Sequence, residues 1–312
     1  MIEPEITPTN EVNKNFRAGY VAIVGEPNVG KSTLMNALVG QKISIVTNKP
    51  QTTRHKILGI LSSPEYQIIF LDTPGLLKPK YRLHEAMMKF AGSAIQDADV
   101  VLLMIDAIVA KTSSSKEHEL TLDALKGIKK PVFLLINKTD AVEKNDLLPV
   151  LLDYSTKHEF QEVFPISALQ QEGTKELLEF LVKYLPVHPP YYPIDSISEQ
   201  SERFFVSEII REKIFEYFRE EIPYSTTVDI IDFKEKPGGK DNIEAEIYVE
   251  RDSQKAILIG KKGAALKEIG IAARKDIEVL LGRGVFLHLY VKTRESWRED
   301  DSWLKRLGYF EK

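Results

Sequence analysis

No cysteine occurs among the 312 residues, which excludes disulfides, thiolate metal sites and cysteine nucleophiles and suits a reducing compartment. Long apolar runs are missing as well. The most apolar stretch, residues 100–110, is broken by Asp106 and falls short of the ~20 residues a membrane-spanning helix needs. The opening segment MIEPEITPTNEVNKNF lacks the apolar centre of a secretory signal. Nor is there a general excess of positive charge: a net charge of −4 rules out a basic coat for nucleic acid and leaves room only for a local patch. What is present, 43% hydrophobic and 28% charged residues, is the mixture of a soluble globular protein, and the length suits about two domains.

The first part of the chain alternates short apolar runs with helical patterns, the signature of an α/β domain on a mostly parallel sheet. GYVAIVG (19–25) reads as a buried strand feeding a helix over 31–39. Strands are expected at 57–61 and 66–72, close enough for a hairpin, then at 99–106, 131–138 and 162–168, with a helix over 173–185. The four prolines of LPVHPPYYPIDSIS break any helix or central strand and mark a linker. This divides the chain into 1–185, a linker at 186–202, and 203–312. The second part reads α-β-β-α-α-β: a helix over 204–220, strands at 227–235 and 243–250, helices on either side of 260–263, and a strand at 285–292.

Gly25-Glu26-Pro27-Asn28-Val29-Gly30-Lys31-Ser32, followed by Thr33, fits G-x-x-x-x-G-K-[ST] and lies where a strand turns into a helix. Such a loop curls its N–H groups around phosphates at a helix amino end, with Lys31 reaching the β- and γ-phosphates and Ser32 offering an oxygen to Mg²⁺. The base is read by Asn137-Lys138-Thr139-Asp140: the Asp140 carboxylate can accept from guanine N1–H and the exocyclic amine, a donor pair that adenine lacks. Ser167-Ala168 is expected to give a backbone N–H to the guanine carbonyl. Asp72-Thr73-Pro74-Gly75 would hold Mg²⁺ through a water at Asp72 and sense the γ-phosphate through the Gly75 N–H. In Gln51-Thr52-Thr53-Arg54 a threonine, Thr53 in preference to Thr52, could close onto Mg²⁺; both could equally be strand threonines. GTP and GDP are therefore the expected ligands.

In the second part, Gly260-Lys261-Lys262-Gly263 is a GXXG loop of the kind that clamps an RNA backbone, although a glycine-capped helical hairpin looks the same. Lys255, Lys261, Lys262, Lys267, Arg274, Lys275, Arg283, Lys292 and Arg294 are opposed locally only by Glu268, Asp276 and Glu278. Leu266, Ile269, Ala273, Ile277 and Leu280 trace one helical face. Strand alternation puts Ile243, Ala245, Ile247 and Val249 on one side and Glu244, Glu246 and Glu250 on the other, an acidic face unsuited to RNA. RNA contacts are expected from Gly260, Lys261, Lys262, Gly263, Lys267, Arg274, Lys275 and Arg294. In the tail, Trp297, Trp303, Tyr309 and Phe310 lie among cations and could stack on bases. Alternatively, Trp303, Leu304 and Leu307 pack a terminal amphipathic helix onto the domain.

The series GEPNVGKS, QTTRH, DTPG, NKTD and ISA, joined to a GXXG domain, resembles the Era family over nearly the whole chain. That resemblance implies a P-loop GTPase domain followed by a type II KH domain. It also implies slow GTP hydrolysis, binding near the 3′ end of 16S ribosomal RNA, and a role in small-subunit maturation. A cytoplasmic monomer is expected, with peripheral association at the inner face of the membrane also implied. The resemblance makes Asn28 a ligand for an activating K⁺. Leu76 departs from Ras-type enzymes, which carry a water-orienting glutamine there. Two rival readings are a tRNA-modifying GTPase and a membrane-associated signalling GTPase with a protein-binding second domain.

Overall fold

The computed structural model describes residues 15–112 and 116–310. Nine strands form two sheets among the described residues. In the first, β1 (Arg17–Gly25), β2 (Ile57–Ser62), β3 (Tyr66–Asp72), β4 (Val100–Asp106), β5 (Val132–Asn137) and β6 (Glu162–Pro165) lie in the order β2-β3-β1-β4-β5-β6. All neighbours are parallel except the β2–β3 hairpin. Every residue of β4 is buried, as its apolar run requires of a central parallel strand covered on both faces. Helices α1 (Lys31–Val39), α2 (Arg82–Asp97), α3 (Ala107–Thr112), α4 (Lys116–Asp123), α5 (Lys144–Ser155) and α6 (Thr174–Tyr184) complete this part. β1 lies where strand order reverses, with β3 on one side and β4 on the other. In such sheets the crevice beyond the strands' carboxyl ends is the place for a ligand.

The proline-rich segment is a strap fastened to this sheet. Pro186 O accepts from Ala18 N–H (3.2 Å), and Gln67 exchanges bonds with the backbone of Tyr191 and Tyr192. Ile197 O accepts from Ile60 N–H (2.8 Å), and Ser198 donates to Leu58 O (2.6 Å). The strap therefore satisfies groups on edge strand β2 that would otherwise invite pairing with another chain.

Beyond it, α7 (Glu202–Tyr217) and α8 (Ile222–Ser225) precede β7 (Thr227–Lys234) and β8 (Asp241–Val249). Then come α9 (Asp252–Ile259), α10 (Ala264–Leu281), β9 (Val285–Thr293) and α11 (Asp301–Arg306). β8 is central, antiparallel to β7 and parallel to β9. Ile243, Ala245, Ile247 and Val249 are fully buried with Ile269, Ala273 and Ile277 of α10, as the alternation predicts. Sequence pattern misses two details. α7 stops at Tyr217, where Phe218 turns extended, and the one-turn α8 carries too few residues to show a period.

A fourth apolar cluster joins the halves: Trp297, Leu304 and Tyr309 of the tail pack with Leu83, Ala86 and Met87 of α2. No described helix is long and apolar enough to cross a membrane.

Candidate nucleotide and nucleic-acid sites

A cleft of about 550 Å³ opens at the carboxyl ends of the first sheet. Pro27, Asn28, Gly30, Lys31, Ser32 and Thr33 line it from the β1–α1 turn, and Asn137, Lys138, Asp140 and Ala168 from the opposite side. Gly75 closes upon the turn so tightly that a Cβ there would come within 2.7 Å of the Pro27 backbone, so only glycine fits. Lys31 is buried and donates to Gly25 O (3.2 Å) and Glu26 O (2.7 Å). Burial pushes its ammonium down to about 8, against the opposing pull of Asp72 and Glu26.

Four oxygen-bearing side chains from four segments meet beside it. Ser32 Oγ lies 2.8 Å from Thr53 Oγ1 and donates to Asp72 Oδ2 at 2.7 Å, and Ser44 Oγ donates to the same oxygen at 2.7 Å. Asp72 Oδ1 is buried with no hydrogen-bond partner. Burial raises the Asp72 carboxyl above its usual range, so an oxygen-seeking cation would relieve a real electrostatic deficit. The residues present fit Mg²⁺. Of the two threonines, Thr53 reaches this cluster. Thr52 turns away, 2.6 Å from Thr47 Oγ1 and donating to Lys49 O at 2.7 Å.

Asn137 stitches the two walls together: its amide donates to Val29 O at 2.7 Å, and its oxygen accepts from Ala168 N–H at 2.9 Å. Lys138 pairs with Asp106 at 2.5 Å. Ser167 is buried, its N–H on Glu172 O, and Thr73 is turned onto Ile23 O at 2.8 Å. Gly25, Glu26, Val29, Thr73, Pro74 and Ser167 thus support the cleft from behind rather than line it. Both N–H groups of Ser167-Ala168, the pair expected to serve the base, are already engaged, with Glu172 O and with Asn137, while Leu169, next in line, lies in the cleft wall. Asn28 has φ 64° and donates to Asn48 O at 3.3 Å. Residues 45–49 also line the cleft, a contribution no motif announces.

Residues 20–138 match a family described as 50S ribosome-binding GTPase, and residues 221–298 match the KH domain. Full-length likeness decides the identity. GTPase Era of Geobacter metallireducens is 48% identical over 94% of this chain and 98% of that protein. The chloroplastic GTPase ERA-like protein of Arabidopsis thaliana is 49% identical over 95% of this chain and 70% of that one. The chain belongs to the Era GTPase family. A tyrosine-to-alanine variant of Aquifex aeolicus Era bound to GDP.AlF4− superposes with a TM-score of 0.90 at 42% identity, covering 94% of this chain and 99% of that one. An Era structure in complex with MgGDPNP and nucleotides 1506–1542 of 16S ribosomal RNA gives the same figures.

The P-loop half and the KH half expected for an Era-type chain are both present, and hydrolysis of GTP is its activity. In the KH half, Gly260 and Gly263 bracket a turn in which Lys262 is left-handed (φ 52°), and both lysines are exposed. Lys255, Lys261, Lys262, Lys267 and Lys275 make no ion pair among the described residues. Four other cations of the basic run are neutralised by acids, most of them distant in sequence. Arg274 pairs with Glu278 (2.9 Å), Arg283 with Asp241 and Glu202, Lys292 with Glu246, and Arg294 with Asp300 (2.9 Å). Arg274 and Arg294 are therefore not free charges, and the acidic sheet face is weaker than its sequence suggests.

The tail corrects a further expectation. Trp297 is fully buried and donates to Ser225 O at 2.8 Å, and Tyr309 is buried against His55, ring centroids 4.3 Å apart. Neither can stack on a base. Trp303, Leu304 and Leu307 instead pack inward in the alternative reading's manner.

Proposed function

We propose that this Era-family GTPase is a nucleotide-controlled RNA-binding protein that acts on the 3′ end of 16S ribosomal RNA during small-subunit maturation, working as a cytoplasmic monomer. The observation that carries the nucleotide half is the meeting of Ser32, Thr53 and the half-partnered Asp72 beside Lys31, opposite Asp140. The RNA assignment rests on the unpaired lysines around Gly260–Gly263 and on the complex of a 42% identical relative with MgGDPNP and 16S ribosomal RNA.

Lys31 would leave its loop carbonyls for the β- and γ-phosphates, and the turn's N–H groups would cradle the chain of phosphates. Ser32, Thr53 and Asp72 would hold Mg²⁺, directly or through water, and that ion would neutralise charge on the phosphate oxygens. Gly75 N–H would sense the γ-phosphate, and Asp140 would select guanine. Leu76 is buried, its N–H on Gly25 O at 3.0 Å, and cannot orient the attacking water by hydrogen bonding. Asn28, in the phosphate turn, would hold K⁺ through its side-chain oxygen, and that ion would supply the missing stabilisation of charge. GTP turnover in K⁺ buffer should exceed that in Na⁺ buffer, and equal rates would remove this part of the reading.

The deciding experiment measures affinity for a 16S 3′-end RNA with GDPNP, with GDP and without nucleotide, at two salt concentrations. GDPNP should strengthen binding. Lys261→Ala with Lys262→Ala should weaken it for all sequences and reduce the salt slope by about 2. RNA affinity indifferent to both nucleotide and these lysines would refute the proposal.

A further inference from the structure

Thr53 sits at the nucleotide site, yet the Thr52 carbonyl before it and the Arg54 side chain after it are held by the other half of the chain. Arg54 is fully buried, and among the described residues no carboxylate pairs with it. Its guanidinium instead donates to three carbonyls around α8: Thr226 O at 2.7 Å, Pro223 O at 3.0 Å and Tyr224 O at 3.2 Å. The Phe215 and Trp297 rings flank it, each at 5.9 Å. Arg211 of α7, itself buried and paired with Glu208, donates to the Thr52 carbonyl. Lys49 donates to Phe215 O and Phe218 O at the carboxyl end of α7, where the helix dipole favours a cation. Glu212 of α7 accepts from Val46 N–H at 3.1 Å and pairs with Lys42 at 2.5 Å.

A buried guanidinium that donates only to neutral carbonyls and leaves its Nε without a partner is expensive to keep, and apolar residues would pack such a junction more cheaply. Its fork, however, fixes a direction as a flexible ammonium does not. With the Thr52 carbonyl and the Arg54 side chain both pointed into the KH half, the intervening Thr53 side chain faces Ser32.

We infer that Arg54 and Arg211 are positioning residues for Thr53, through which the KH half sets the geometry of the phosphate site. This rests on the reading of Thr53 as a contact of the magnesium–triphosphate. The consequence is selective: a displaced Thr53 weakens the triphosphate state, because GDP carries no γ-phosphate for the closed segment to meet. A ligand can shift the segment only by binding its two arrangements differently.

The test measures GDPNP and GDP affinities of the full chain, with Mg²⁺, by titration calorimetry. Arg54→Lys keeps the charge but cannot span three carbonyls. GDPNP affinity should fall about tenfold while GDP affinity stays within about twofold. Parallel loss of both ligands would mark a merely structural role and overturn the inference. In the Thr53→Ala background, Arg54→Lys should cost nothing further for GDPNP, and a second full loss there would also overturn it. Should Thr53→Ala alone leave GDPNP affinity unchanged, the assignment of Thr53 itself fails, an outcome distinct from the other two. If Arg54→Lys does not fold, Arg211→Lys acts on the same segment through the Thr52 carbonyl and must show the same split between GDPNP and GDP.

Discussion

Replacing Asn137 by alanine should weaken nucleotide binding by more than an order of magnitude while leaving the fold largely in place. Asn137 is 3% exposed, and its amide joins the phosphate turn to the base-side loop through Val29 O at 2.7 Å and Ala168 N–H at 2.9 Å. Alanine would strand one buried acceptor and one buried donor, each costing about 1–3 kcal/mol when unsatisfied. Asn137 lines the cleft, so in the empty variant the space left by its amide opens to water that would reach these groups and lessen that cost. A bound nucleotide would displace the water, so most of the penalty appears on binding. Taking the lower end for each group gives about 2 kcal/mol, or roughly 30-fold weaker binding. GDP and GDPNP should suffer equally, because the tie lies away from the γ-phosphate cluster at Thr53. Gly30→Ala should act through the same tie: its Cβ would lie 2.4 Å from the Asn137 amide nitrogen, at a φ of +103° that side chains avoid. Calorimetric titration with both nucleotides, beside a thermal melt of the empty protein, checks this. GDP affinity within about threefold of the parent, accompanied by a large loss of melting temperature, would show that Asn137 is a folding residue and refute the reasoning.

Other outcomes are equally specific. Asp140→Asn should turn base preference from GTP toward XTP, because an amide can donate to the xanthine C2 carbonyl but cannot accept both guanine donors; competition between the two nucleotides reads this, and undiminished GTP preference would contradict it. Lys31, held down to about 8 when empty, should take up a proton on binding GTP, so affinity should decline above pH 8 and calorimetry in buffers of different ionisation heat should register the uptake. For folding the sign is opposite: the unfolded chain binds this proton more tightly, so stability of the empty protein should rise with pH between about 8 and the ordinary lysine value of 10.5. Trp297→Ala should cost about 3–5 kcal/mol in urea unfolding, and a loss of RNA affinity without that destabilisation would restore a base-stacking role.

The parts legible in the sequence are those whose chemistry fixes residue type and spacing together. The phosphate turn, Asp72 to Gly75 and Asn137 to Asp140 fall at strand ends as their motifs require, and the inward residues of β8 follow its alternation, although Glu246 and Tyr248 on its other face are buried as well. The choice of Thr53 over Thr52 was open because adjacent residues differ only in the way the backbone turns, and that turn is dictated by Arg211 and α8, more than 150 residues away. Local charge counting overstated the basic patch, since Glu202, Asp241, Glu246 and Asp300 lie outside the run yet fold onto it. The tail was ambiguous for a similar reason. Aromatic residues among cations suit a nucleic-acid surface and a domain junction alike, and only the position of α2 decides between them.

The strap between the two halves carries a consequence for their communication. Fastened to the first sheet as far as Ser198, it leaves only a few residues before α7 begins at Glu202. A free linker of the same length would let the KH half wander through a large volume and dilute its own encounters with the rest of the chain. Anchored this way, α7 stays at a high effective concentration beside the segment it grips, so release and recapture can proceed within one molecule without a search.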